Sequence, residues 1–254
     1  MKTVLIQTDI VWEYPSANRN ILEGKIKSIN EEIDLIILPE MFTSGFTMNP
    51  SLIAESMNGE TISWLKEMAK SKNCAITGSL VIAENKSYYN RMVFVFPNGD
   101  IQHYDKKHLF TLAGEDKIYT SGTEKVIVNY NNWKICLQVC YDLRFPVFSR
   151  NTEGYDLLVY VASWPKIRTN AWDVLLKARA VENLSYVIGV NRIGTDNNNY
   201  EYIGHSQIID ELGNSIIEPT ENEDVFMANL DKDKMLETRN KLNFLNDKDE
   251  FYFA

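Results

Sequence analysis

No stretch of this 254-residue sequence stays apolar for the roughly 20 residues that a membrane-spanning helix needs, which excludes that class. Basic residues are outnumbered, 26 against 35 acidic, for a formal charge of −9, and no Lys/Arg block suits a phosphate backbone. Nucleic acid is therefore not an expected partner. Cysteine is sparse, with only Cys74, Cys136 and Cys140, an odd set that cannot form the disulfide framework of a small secreted domain. Histidine is equally scarce: His103, His108 and His205 lie apart and form no compact metal-ligand pattern, so no metal is expected. A Gly-x-Gly-x-x-Gly fingerprint is absent, and no organic cofactor is called for. The apolar residues 4–10 lack the basic lead and small-residue cleavage pattern of a signal peptide, so a reducing, cytoplasmic setting is expected. Without a Pro/Gly/Ser linker, a repeat or a low-complexity block, residues 1–254 read as one domain.

What is present is an alternation of helical and extended patterns. Leu22, Ile26, Ile29 and Ile33 fall at helical spacing before the continuous apolar run Leu35-Ile36-Ile37-Leu38. Thr61, Trp64, Leu65 and Met68 mark a second amphipathic helix ahead of a strand at residues 74–81. Trp172, Leu175, Ala178 and Arg179 continue the helical theme between extended runs at 157–162 and 186–190. Turn residues at 97–100, 131–132 and 211–214 separate pairs of extended segments and point to hairpins. Pro146 suits the first turn of a short helix after Phe145, and residues 197–199 suit an exposed loop. The mixture favours buried sheets covered by helices, an α/β layered sandwich.

Polar or aromatic residues follow several of these strands. Glu40 comes just after the run ending at Leu38, Cys140 after 135–139, Trp164 after 157–162, and Arg192 after 186–190. Parallel strands would gather these groups on one rim. Cys140 at a strand exit, before a turn, can expose its sulfur and direct backbone N–H groups at an oxyanion, although cysteine as a type is more often inert and buried. A histidine base is one option for such a thiol. His103 lies in a hairpin arm, however, and His108 suits a local hydrogen bond. Glu40 is the other option as base, with a nearby lysine to stabilise negative charge; taken alone, Glu40 and Lys106 read equally well as ordinary loop and surface charges.

Three segments resolve the choice by resemblance: Leu38-Pro39-Glu40-Met41-Phe42, Tyr104-Asp105-Lys106-Lys107-His108-Leu109-Phe110, and Val139-Cys140-Tyr141-Asp142-Leu143-Arg144-Phe145-Pro146. In order and approximate spacing they resemble the Glu-Lys-Cys triad of the nitrilase, or carbon-nitrogen hydrolase, family. The resemblance implies a four-layer α-β-β-α sandwich, with Glu40 as base, Cys140 as nucleophile, and Lys106 and the Tyr141 backbone N–H as oxyanion donors. It selects Lys106 over Lys107, because the family lysine stands two positions before the histidine of the Lys-x-His-Leu pattern. Glu115 occupies the place of a further family glutamate that orients the lysine, with Asp116 as a local competitor. Arg144, Arg179 and Glu182 are assigned to structural support, and Cys74 and Cys136 to the core.

Within the family the sequence is most similar overall to bacterial omega-amidases, through Cys140 to Arg150, Tyr160 to Pro165 and Gly189 to Gly194. That similarity implies hydrolysis of the terminal amide of 2-oxoglutaramate or 2-oxosuccinamate through a cysteine thioester. Phe42, Phe46 and Trp164 are the candidates to confine the substrate chain, and Arg168 and Arg192 the candidates for its distal carboxylate. It also implies a homo-oligomer, a dimer. Another small aliphatic amidase, a nitrilase, or a non-catalytic interaction protein of the same fold are the alternatives.

Overall fold

The computed structural model describes residues 1–251. The chain opens with β1 (Lys2–Gln7), α1 (Pro15–Ser28), β2 (Leu35–Ile37), α2 (Glu60–Lys72), β3 (Ala75–Glu84), β4 (Ser87–Val95) and β5 (Ile101–Asp105). It continues with β6 (Ile127–Tyr130), β7 (Trp133–Val139), α3 (Pro146–Ser149), β8 (Leu157–Ala162), α4 (Thr169–Asn183) and β9 (Tyr186–Asn191). The short strands β10 (Ile193–Thr195), β11 (Glu201–Ile203), β12 (Gln207–Ile209) and β13 (Ser215–Ile217) follow, and then β14 (Asp224–Asn229) and α5 (Lys232–Leu242). Among the described residues these strands make two six-stranded sheets, ordered β14-β1-β2-β3-β4-β5 and β13-β12-β9-β8-β7-β6, and the small pair β10-β11.

Side-chain alternation stacks the layers. In β2, Leu35 and Ile37 point into a core shared with Leu137, Val139, Val159 and Val161 of the second sheet, while Ile36 and Leu38 face Leu22, Ile26, Leu65 and Met68. The second sheet repeats the arrangement, with Cys136, Leu158 and Tyr160 turned towards Trp172, Leu176 and Ala180 of α4. The central strands β2, β8 and β9 are thus covered on both faces, which is why their runs are continuously apolar rather than alternating. The order of layers is α1/α2, first sheet, second sheet, α4: the α-β-β-α sandwich.

β1-β2-β3 and β7-β8-β9 are parallel, with antiparallel strands flanking them. The hairpins at 97–100, 131–132 and 211–214 form where turn residues announced them, and Asn131 and Asn132 adopt φ of 47° and 63°, as a tight two-residue turn requires. One expectation needs correction. The strands before Glu40, Cys140, Trp164 and Arg192 do not share one sheet, because β2 belongs to the first and β7, β8 and β9 to the second. Their ends meet because the two sheets stack face to face. α1 also stops at Ser28, so Ile29 and Ile33 reach the core from the loop that follows.

Candidate active site

The turn after β2 buries Glu40 completely at the seam between the sheets. Its Oε2 accepts the Ser163 backbone N–H at 2.7 Å, from the end of β8 in the opposite sheet. Its Oε1 accepts Asn90 Nδ2 at 2.8 Å and Lys106 Nζ at 3.0 Å. Lys106 leaves β5 and is fixed by its own N–H on the Asn90 carbonyl, 3.0 Å. Its ammonium also reaches both oxygens of buried Glu115, at 3.0 and 2.9 Å, and lies 5.1 Å over the Phe46 ring. Glu115 is held in turn by the Phe110 N–H at 2.6 Å. Asp116 takes no part in this set; Glu115 is the carboxylate that the turn presents.

Cys140 opens a single 3-10 turn, Cys140–Arg144, between β7 and α3, and adopts φ of 44°. A left-handed conformation costs a non-glycine residue about 1–2 kcal/mol, and here it throws the sulfur out of the line of the strand. The first N–H groups of such a turn, Tyr141 among them, have no partner within it and are available to an anion. The turn is anchored below: Asp142 Oδ2 accepts the Val139 N–H at 3.0 Å, and buried Arg179 donates to the Leu143 carbonyl while pairing with Glu182 at 3.0 Å.

Burial governs the electrostatics. It pushes the Cys140 thiol well above the ordinary range, and the neighbouring Glu40 carboxylate adds to this while Lys106 opposes it. Burial works against the Lys106 ammonium, but the charges of Glu115 and Glu40 reverse that effect and raise its pKa. Glu115 is itself raised, by burial first and by Glu40, with Lys106 and the Phe110 N–H pulling the other way. The resting thiol therefore keeps its proton, and a carboxylate is positioned to take it. Cys74 and Cys136 lie fully buried in the core, where burial lifts the Cys74 thiol to about 12 and Cys136 likewise upwards; both are inert.

Above Cys140 opens a cavity of about 390 Å3. Lys106, Cys140 and Ser163 lie along it, with Phe46, Trp164 and Tyr202 as aromatic walls and Arg144 and Arg168 as cationic ones. The Arg144 guanidinium stacks 4.9 Å over Trp164, and that of Arg168 lies 5.1 Å over Phe110. Trp164 is locked by Asn191, whose Oδ1 accepts its N–H at 2.7 Å and whose Nδ2 donates to its carbonyl at 2.9 Å.

Two pocket candidates lie elsewhere. Phe42 is fully buried on the helix side of the first sheet, with its N–H on the Ser79 carbonyl, and packs against Trp64 with ring centroids 6.3 Å apart. Arg192 is an interior strut whose Nη2 donates to Asp9 and the Ile10 carbonyl and whose plane stacks behind Tyr202 at 4.8 Å. It supports the pocket wall and does not face the cavity. Arg144 moves in the opposite direction, from a supporting role beside Asp142 to an exposed cavity wall. Asn90 had no flag in the sequence beyond being a polar residue entering an apolar strand. The exposed loop at 197–199 supplies further wall through Asn198 and its neighbours Asp196 and Tyr200.

Comparison with known proteins comes to the same place. Residues 3–240 match the family model described as carbon-nitrogen hydrolase. The chain is 42% identical to the omega-amidase YafV of Yersinia enterocolitica, with 99% of this chain and 98% of that protein covered. It is 33% identical to the 2-oxoglutaramate amidase of Bacillus subtilis, over 95% of each chain. Among solved structures it is similar to XC1258 from Xanthomonas campestris, a CN-hydrolase superfamily protein with an arsenic adduct in its active site. That match has a TM-score of 0.98 and 38% identity and covers 100% of this chain and 99% of the other.

Proposed function

The chain belongs to the carbon-nitrogen hydrolase family, and from that premise we propose that it is an omega-amidase: it hydrolyses the terminal amide of 2-oxoglutaramate or 2-oxosuccinamate to a 2-oxo dicarboxylic acid and ammonia. The observation that carries the reading is a cavity with Cys140 and Lys106 along it and two guanidinium groups, Arg144 and Arg168, in its walls. A small substrate with an amide at one end and a carboxylate at the other matches those two kinds of surface. The full-length similarity to proteins named for this activity supports the same substrate class.

In the proposed reaction, Glu40 takes the Cys140 proton as the sulfur bonds to the amide carbon. The oxyanion that forms is stabilised by Lys106 Nζ and the Tyr141 N–H, donors already oriented before charge develops. The C–N bond then breaks, Glu40 returns its proton to the departing ammonia, and a thioester remains on Cys140. Water, deprotonated by Glu40, attacks that thioester; the C–S bond breaks, the acid leaves and the thiol is restored. Glu115 holds the lysine through both steps. The three cysteines are free, as a reducing cytoplasmic setting requires, and no helix among the described residues is long and apolar enough to cross a membrane. A homodimer belongs to the same proposal, resting on the family resemblance, and light scattering checks it.

Ammonia release is measured with 2-oxoglutaramate, 2-oxosuccinamate, propionamide and propionitrile. The expected result is a kcat/KM for the 2-oxo acid amides at least ~100-fold above that for propionamide, as paired charged hydrogen bonds to a carboxylate allow. Equal or better turnover of propionamide would reassign the chain to a simple aliphatic amidase.

A further inference from the structure

The two halves of the site belong to different sheets. Lys106 follows β5 at the edge of the first sheet, and Cys140 follows β7 in the second, and what joins the sheets is mainly apolar packing between strands such as β2 and β7. Apolar packing is non-directional and leaves small in-plane offsets nearly free, whereas hydrogen bonds fix direction. One side chain makes directional bonds across this seam on both sides of Lys106. Asp142, fully buried, accepts the Tyr104 hydroxyl at 2.8 Å on Oδ2, and the His108 N–H at 2.9 Å and His108 Nδ1 at 2.7 Å on Oδ1. With the Val139 N–H also on Oδ2, the carboxylate takes four hydrogen bonds from three residues. Tyr104 and His108 stand two residues before and two after Lys106, and the Tyr104 oxygen also accepts the Lys107 N–H at 3.1 Å. His108 is held flat on Phe145, centroids 3.8 Å apart, and against Phe148 at 5.4 Å. Since an ionised carboxylate only accepts, the imidazole proton sits on Nδ1.

We propose that Asp142 is a positioning residue that holds Lys106 in register with Cys140 and the Tyr141 N–H across the sheet seam, gripping the lysine segment through Tyr104 and His108. The proposal rests on the amidase reading for its meaning in catalysis, but the geometry it controls is that of the sulfur and the lysine whatever the substrate. Because the bonds are short and saturate the carboxylate, losing one lets the lysine segment shift relative to the turn. A shift of that kind, of the order of 1 Å, costs up to about 100-fold in rate when an oriented donor is displaced.

The test compares wild type with His108→Ala, His108→Asn and Tyr104→Phe. An asparagine amide at 108 reaches roughly where Nδ1 lies and restores the donor without a titrating ring. Each folded variant is assayed for kcat and KM on 2-oxoglutaramate, and for the rate at which iodoacetamide alkylates Cys140, read by peptide mass. His108→Ala is expected to lower kcat ~10- to 100-fold with KM within about threefold, and His108→Asn to recover most of the loss. Tyr104→Phe, which keeps the ring packing, loses several-fold in kcat. Alkylation falls and recovers in the same order. The proposal is overturned if His108→Asn is no better than His108→Ala, if the loss appears in KM alone, or if alkylation is unchanged across the series. A wild type that hydrolyses no amide while the alkylation series holds would remove the amidase reading and leave the clamp standing.

Discussion

Replacing Lys106 by methionine keeps most of the side-chain volume and removes only the ammonium, so its effect isolates the charge. In the native site that ammonium is bonded to Glu40 and to both oxygens of Glu115, and all three groups are at most 1% exposed. Taking one partner out of a buried ion cluster leaves uncompensated charge and costs about 3–5 kcal/mol, undiminished here by solvent screening. The cost depends on pH in a definite sense. Glu115 already lies above the ordinary carboxylate range through burial and Glu40, and Lys106 is the main influence holding it down. Without the lysine it rises further, so folded Lys106→Met carries a proton that the unfolded chain has released. Such a group stabilises fully below the unfolded carboxylate value near 4.3 and progressively less as pH climbs through its folded value. The stability gap between wild type and Lys106→Met is therefore widest at pH 7–8 and closes towards pH 5, by no more than about 1.4 kcal/mol per pH unit for one proton. Urea unfolding of both proteins at pH 5, 6, 7 and 8 measures it, and ammonia release should fall by at least ~100-fold in the same variant. A gap under 1 kcal/mol that is flat with pH would refute the reasoning, because it would mean that the two carboxylates do not share the lysine's charge.

Arg144→Ala and Arg168→Ala should each reduce kcat/KM for 2-oxoglutaramate by ~10- to 100-fold while leaving propionamide within about threefold, whereas Arg192→Met should lower the urea midpoint without changing that ratio. Gly78→Ala tests the packing behind Glu40: a Cβ there would lie 2.8 Å from the Leu38 Cβ and 3.0 Å from Phe42, so a loss of about 1–3 kcal/mol in unfolding free energy is expected, and a loss below 0.5 kcal/mol would contradict the fit.

The elements legible in the sequence were those whose apolar pattern alone decides them. The run at 35–38, the strands at 135–139 and 157–162 and the Asn-containing turns needed no tertiary context, and each took the form its pattern implied. β14 and α5 were not legible, and the apolar residues 4–10 were weighed only against a signal peptide although they hold the buried strand β1. β14 is half-buried at a sheet edge, and α5 buries only Met235, being held instead by Arg239 on the Leu184 and Tyr155 carbonyls and on Asp156. Polar anchorage of that kind leaves no periodicity to read. Glu40, Lys106 and Cys140 were picked out by motif order, and the structure brings them together with Glu115. The pocket was read less well, because the direction of a side chain at a strand exit is set by tertiary partners distant in sequence. Phe42 turns inward on Ser79, Arg192 turns towards Asp9, and Arg144 turns out over Trp164. Nothing in spacing along the chain distinguishes those outcomes.

The central claim is that the sulfur of Cys140 becomes covalently bonded to the acyl carbon during turnover. Rapid acid quenching of the enzyme mixed with 2-oxoglutaramate, followed by peptide mass analysis, tests it most directly. The expected result is a transient 2-oxoglutaryl adduct on the peptide carrying Cys140, formed before steady-state ammonia release and missing from Cys140→Ala, which should be folded and inactive. Steady ammonia release from Cys140→Ala, or an adduct carried on Cys74 or Cys136, would contradict the account.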